Sequence, residues 1–266
     1  SATSYNAGMR IKGLDGRYTQ ILRDGYPLYA GFSGGLSILQ IAPLDLKQVE
    51  VIKGAASTLY GGGAIAGLVN LVSKTPQEER ELNFLANATS AGGLDLSGFY
   101  SERYGNAGLT VFASRNSNRP FDPANIGLTA IPKFERYTIN PRLFIYGKKT
   151  NIDMGIGLVT ENRIGGSINY INNGGTGFFE KNKTERITTQ IGITHQLNEN
   201  SHLQFKNSFS NFNRIISVPN YQFDALQQSS FSEFTWNQKK ESSDWVIGAN
   251  LLTDQLVERG QTSIAK

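Results

Sequence analysis

The stretch IKGAASTLYGGGAIAGLVNLVSKTP, Ile52 to Pro76, decides how this chain is read. Val51 and Ile52 run into Gly54, and Ala55 to Tyr60 can form one short helical turn. Gly61, Gly62 and Gly63 then permit backbone conformations closed to other residues. After them Leu68, Val69, Leu71 and Val72 bracket Asn70 in the pattern of a short buried strand, which stops at Lys74, Thr75 and Pro76. The punctuation is that of a compact strand-turn-strand unit. A phosphate loop needs Gly-Lys-Ser/Thr opening a helix, and a dinucleotide loop needs a spaced glycine triad before a helix; this stretch has neither.

Downstream, from about Arg80, apolar and polar residues alternate with a period of two. Leu82, Phe84, Ala86 and Ala88 share one face, followed by Leu94, Leu96, Gly98 and Tyr100, and then by Leu109, Val111 and Ala113. The fourth to sixth segments carry Tyr137, Ile139, Leu143 and Ile145; Ile152, Met154, Ile156 and Leu158; and Ile187, Ile191 and Ile193. Leu203, Phe205 and Phe209, then Phe234 and Trp236, then Trp245, Ile247, Ala249 and Leu251 complete nine segments. Each reads as a strand of about ten residues, the length of a tilted strand crossing hydrocarbon.

The links fall into two classes. Those at Gly147–Thr150, Asn198–Asn200 and Lys239–Ser243 are tight, whereas those at Asn116–Lys133, Arg163–Lys183 and Arg214–Phe223 are long and rich in Gly, Asn and Pro. Alternate links of an antiparallel barrel emerge on one side, so this asymmetry predicts a membrane orientation with the long side outward. Tyr100, Tyr104, Tyr137, Tyr146, Trp236 and Trp245 lie near strand ends, where interfacial aromatic girdles are expected.

Composition agrees with this reading. In 266 residues the hydrophobic share is 39%, and the mean hydropathy is −0.31. A barrel keeps such an average while one face is greasy, because only alternate residues meet lipid. No apolar run approaches the ~18 residues of a membrane helix. Cysteine is absent, which removes disulfides and thiolate chemistry. His195 and His202 fall in adjacent predicted strands near a turn without a convincing third metal ligand. The formal charge is +4, but the basic residues are scattered among acids, so no nucleic-acid surface is expected. The first residues, SATSYNAGMRIKG, lack the pattern of a signal peptide.

These motifs resemble the TonB-dependent outer-membrane receptors. RIKGLDGRYTQILRDGYPL, Arg10 to Leu28, is similar to the plug segment in which an I-R-G turn precedes a strand ending in D-G-x-P, and Leu44 to Pro76 is similar to the plug's closing motif. EFTWNQKKESSDWVIGANLLTDQL, Glu233 to Leu256, resembles receptors of the Bacteroidota. The resemblance implies a mostly β fold, a plug domain followed by an antiparallel transmembrane β-barrel of about 22 strands. Here the expectation is the C-terminal part of the plug at residues 1–76 and the N-terminal part of the barrel at 77–266, a fragment with about nine strands.

By the same resemblance the chain is expected in the outer membrane of a Gram-negative bacterium, in contact with its lipid, as a transporter and not an enzyme, with no cofactor. TonB and the inner-membrane energising complex are the implied partners, besides an extracellular nutrient. The TonB-binding box is absent from Ser1–Gly13, so contact with TonB is expected through a segment outside this chain. Tyr26, Tyr29, Phe32 and Ser33 are the candidate ligand contacts at the plug apex, with plug packing as their alternative role. Lys12 and Lys53 stand where family plugs carry arginine, keeping the charge but losing the bidentate fork. They are expected to lock the plug to carboxylates of the barrel wall.

Starch-utilisation-like glycan importers tend to have an L-K-D-A plug turn, whereas this chain has Ile52-Lys53-Gly54-Ala55. A siderophore, haem or corrinoid receptor is therefore favoured over a glycan or peptide importer of the same family. A passive pore or surface adhesin is the alternative without energy coupling. A soluble β-sheet enzyme finds no support in a Ser-His-Asp elbow, a carboxylate pair or a metal cluster.

Overall fold

The computed structural model describes residues 13, 14, 18–28, 32, 41, 43–54 and 64–263. They fall into two compact units that meet in sequence between Thr75 and Pro76.

The first unit holds a four-stranded sheet, built from β1 (Thr19–Arg23), β2 (Tyr26–Pro27), β3 (Leu46–Lys53) and β4 (Gly67–Ser73) in the order β2-β1-β4-β3. β4 is central, parallel to β1 and antiparallel to β3. Burial on both faces explains why Leu68, Val69, Leu71 and Val72 read as an apolar run broken only by Asn70. Ala66, Val69 and Leu71 form the core, covered by Tyr18, Ile21, Leu28, Ile41 and Leu46. The segment Ala55–Gly63, including the expected helical turn, lies outside the described residues.

The Asp-Gly of the D-G-x-P motif is the turn between β1 and β2. Both residues take positive φ, 53° at Asp24 and 80° at Gly25, as a tight two-residue hairpin turn requires. β4 pins this turn. Gly25 N donates to Asn70 Oδ1 (3.1 Å), and Ser73 N donates to the Asp24 carboxylate (2.8 Å). Arg23 forms an ion pair with Asp45 and donates from Nε to Ser73 Oγ at 3.0 Å. The motif thus ties three strands together by polar contacts at the edge of a small apolar core.

The second unit is a single antiparallel meander of nine strands in sequential order, from β5 to β13. β5 (Glu81–Ala88), β6 (Gly93–Tyr104), β7 (Ala107–Asn118) and β8 (Lys133–Tyr146) are followed by β9 (Thr150–Gly166) and α1 (Ile168–Asn173). β10 (Phe179–Asn198), β11 (Ser201–Val218), β12 (Tyr221–Lys239) and β13 (Asp244–Ser263) complete it. All nine segments read from the alternation are strands of this sheet.

Two expectations are corrected. Most strands exceed ten residues, and β10 and β13 reach 20. At ~3.3 Å per residue such a strand runs roughly 65 Å, more than a tilted crossing of the ~30 Å hydrocarbon core needs. The alternation read from the sequence marks only part of each of these strands. The expected long link at Arg214–Phe223 is instead a two-residue turn, with Val218 paired to Tyr221 and Asn220 at φ 65°. Ile215, Ile216 and Val218 are β-branched and continue the strand, so Pro219 and Asn220 alone punctuate it.

Cross-strand register gives the sheet an apolar and a polar face. Ala113, Ile139, Leu158 and Ile187 form one continuous row on the apolar face. The side chains there stay exposed, Phe84 to 77% and Leu251 to 63%, which is the mark of a surface made for an apolar solvent. Tyr104, Tyr137 and Trp245 are exposed on this face. Tyr146 departs from the expected girdle. One residue beyond Ile145, it turns to the polar face, stacks near Phe144 and lies under Arg103 at 4.1 Å.

Candidate functional site

The pleat assembles a charged row from residues that no single strand reveals as a group. Asn87, Asp95, Asn116, Arg136, Glu161, Thr184 and Arg214 are successive cross-strand partners from β5 to β11, all on the polar face. Asn87 and Asn116 donate to the two oxygens of Asp95, at 3.1 and 2.8 Å. Arg136 Nε donates to Asn116 Oδ1 at 3.4 Å, and Arg136 Nη1 donates to Glu161 Oε2 at 3.4 Å. Arg163 Nε reaches Glu161 Oε1 at 2.6 Å. A parallel link runs from Arg214 Nε to Asn182 Oδ1 and from Asn182 Nδ2 to Glu180 Oε1, both 2.8 Å.

Burial makes this row energetically consequential. Glu161 is 2% exposed and Arg163 5%. Buried ions are tolerated when paired and hydrogen-bonded, and here one carboxylate serves two guanidinium groups. Aromatic rings supply further contact. Phe134 lies beneath Arg163 and Arg136 at 4.9 and 5.9 Å, and Phe212 beneath Arg186 at 4.4 Å. The result is a row of charges and dipoles held in place by one another.

At the same end of the sheet, the segments 119–132 and 167–178 are stitched into one loop pair. Thr129 N donates to Gly166 O (2.9 Å), Gly166 N to Thr129 Oγ1 (2.8 Å) and Ile168 N to Gly127 O (2.9 Å). The Asp122 carboxylate accepts from the backbone N–H groups of Ile126 and Gly127 at 3.3 and 2.7 Å. α1 is capped by Ser167 and closed by Gly174 at φ 68°. Its Tyr170 stacks on Phe179 at 4.2 Å, and Lys181 Nζ lies 5.4 and 5.1 Å from the two rings. Thr129→Val is expected to leave the Gly166 N–H unsatisfied, a local cost of about 1–3 kcal/mol. Limited proteolysis checks it: cleavage within 119–132 should accelerate while the rest of the sheet stays resistant.

The sequence-derived candidates are placed as follows. Tyr26 lies in β2 at 4% exposure, and Phe32 is half-buried. Lys53 ends β3 and is exposed. Lys12, Tyr29 and Ser33 lie outside the described residues. His195 bonds Thr150 Oγ1 at 2.8 Å through Nδ1, whereas His202 pairs with Gln196, one register step away, and so occupies the opposite face.

Sequence reasoning missed the row from Asn87 to Arg214. The available signal was a charged or amide residue on the opposite face of the apolar run, within it at Asp95 and just beyond it at Asn116, Arg136 and Glu161. Pairing them requires the register, which sequence alone leaves open.

Comparison with known proteins bears on both units. A family model described as the TonB-dependent receptor plug domain matches residues 1–68. The ferric aerobactin receptor of Klebsiella pneumoniae is 36% identical over 107 residues, covering 40% of this chain and 14% of that protein. The vitamin B12 transporter BtuB of Vibrio vulnificus is 29% identical over 117 residues, covering 38% of this chain and 19% of the relative. In three dimensions the ferric enterobactin receptor PfeA of Pseudomonas aeruginosa superposes with a TM-score of 0.75 at 15% identity, over 96% of this chain and 45% of the other. The chain therefore spans less than a fifth of these curated relatives and less than half of the solved receptor.

Proposed function

We propose that this chain, a TonB-dependent receptor sequence by its plug and its strands, serves the active import of a scarce bulky nutrient across the outer membrane of a Gram-negative bacterium. The observation that carries the reading is the pairing of a plug unit with a meander that is exposed and apolar on one face and charged on the other. The apolar face meets lipid and the charged face lines the solute path. TonB and the inner-membrane energising complex supply the work, through a segment outside this chain.

Siderophores are the favoured cargo, with haem and corrinoids in the same class of bulky polar ligands. The relatives named for ferric aerobactin and vitamin B12 support that range. Tyr29, Phe32 and Ser33 are the proposed plug contacts, whereas Tyr26, whose ring is buried, takes the alternative role of plug packing. Deleting the gene and measuring uptake of labelled ferric hydroxamates, ferric catecholates, haem and cobalamin tests the class. Loss of one of these uptakes supports it, whereas loss only of oligosaccharide or peptide uptake would favour the importer alternative.

Lys12 and Lys53 complete the proposal as the cations that hold the plug. The double variant Lys12→Gln, Lys53→Gln in the full receptor should admit large antibiotics, read as lowered inhibitory concentrations. Unchanged permeability would argue against the lock.

A further inference from the structure

The chain enters the strand unit through a buried proline. Pro76 is buried between the exposed residues Thr75 and Gln77, and the strand unit continues from it. It sits on Gly108 of β7, where a Cβ would overlap Pro76 Cγ, approach Pro76 Cβ to 3.0 Å and meet the Tyr146 ring at 3.4 Å. Gly108 is itself buried and has no positive φ that would demand glycine. The close approach of Pro76 accounts for the residue.

The seat is stiff, and all of it lies inside the strand unit. Arg103, Gly108 and Phe144 form one cross-strand row of β6, β7 and β8 at the tight-turn end of the sheet. Phe144 is 5% exposed, and Arg103 covers the Tyr146 ring that flanks Pro76. Arg103 N donates to Gln77 O at 2.8 Å, so the carbonyl next to the seated ring is tied to β6 as well. Proline brings no N–H that burial would leave unpaired, and its ring fixes φ. The chain is thus held twice, by ring and by carbonyl, before β5 begins at Glu81.

We propose that the seat of Pro76 on Gly108 is the fixed point of the import cycle: it stays occupied while the plug rearranges, and movement is confined to the residues ahead of Pro76. β5 has eight residues and is the shortest strand of the meander. A pull that reached it would peel it from β6 one residue pair at a time, whereas the seated ring has to be lifted out whole, against its packing and the Gln77 hydrogen bond. The inference rests on the active-import reading given above and adds to it the place where the work stops.

The test uses the full-length receptor in whole cells and, as probe, a labelled ferric siderophore or cobalamin, whichever uptake the gene deletion abolishes. Gly108→Val displaces the ring; accumulation should fall roughly tenfold, the effect of one overpacked side chain, while surface binding and heat-modifiable gel migration are retained. Pro76→Cys with Gly108→Cys places two thiols where the Cβ positions stand 3.0 Å apart, close to the disulfide range of about 3.5–4.5 Å, in a chain that has no other cysteine. Oxidised to the disulfide, this pair should accumulate the probe at the wild-type rate. Accumulation that oxidation arrests and reduction restores would show that the seat opens in each cycle, and it would overturn the proposal. A Gly108→Val receptor that accumulates normally also overturns it, and if that variant loses its gel migration the disulfide pair decides. Wild-type accumulation that survives collapse of the proton gradient refutes the import reading itself, whereas gradient-driven accumulation in the wild type with an arrested disulfide pair refutes this inference alone.

Discussion

Glu161→Gln is expected to destabilise the strand unit by about 3–5 kcal/mol, because it leaves two buried guanidinium groups facing an uncharged amide. Arg136 and Arg163 both depend on this carboxylate, at 3.4 and 2.6 Å. Their side chains are 11% and 4% exposed, so water offers little compensation. The apparent unfolding temperature of the receptor, followed by gel migration after heating in detergent, should fall by ~10 °C. Replacing Arg163 by Met in the same variant should recover part of the loss, because removing both ends of a buried pair costs less than removing one. A melting temperature unchanged in Glu161→Gln would mean that the row from Asn87 to Arg214 is not held by this pair.

The plug and strand organisation was legible in the sequence for local reasons. Leu68, Val69 and Leu71 are buried on β4 and, with Val72, read as a short apolar run broken by Asn70 alone. Asp24 and Gly25 occupy positive-φ turn positions that favour those residue types. Ile139, Leu143 and Ile145 alternate because one face meets apolar surroundings and the other a charged surface. Each of these signals lies within one strand or one turn.

The candidate site was less legible, because it is made by pairing. Asp95, Arg136 and Glu161 are separated by dozens of residues and meet only through the register of β6 to β9. Large aromatics also hid the polar face. Phe99 and Phe112 are buried at 2% and 1% exposure there, so strands β6 and β7 look apolar on both sides. The long-loop reading failed at Pro219 and Asn220 for a related reason: turn residues mark a turn without fixing its length.

The second large effect concerns energy. A plug in a barrel serves no purpose in a diffusive pore, so cells should bind the nutrient without a proton gradient and accumulate it only with one. The most direct measurement follows a labelled ferric siderophore or cobalamin, whichever uptake the gene deletion abolishes, in whole cells before and after an uncoupler collapses the gradient. The account predicts that surface binding persists while accumulation falls to the level of the deletion strain. Accumulation that continues at its original rate after complete collapse would contradict it and leave the passive pore as the better description.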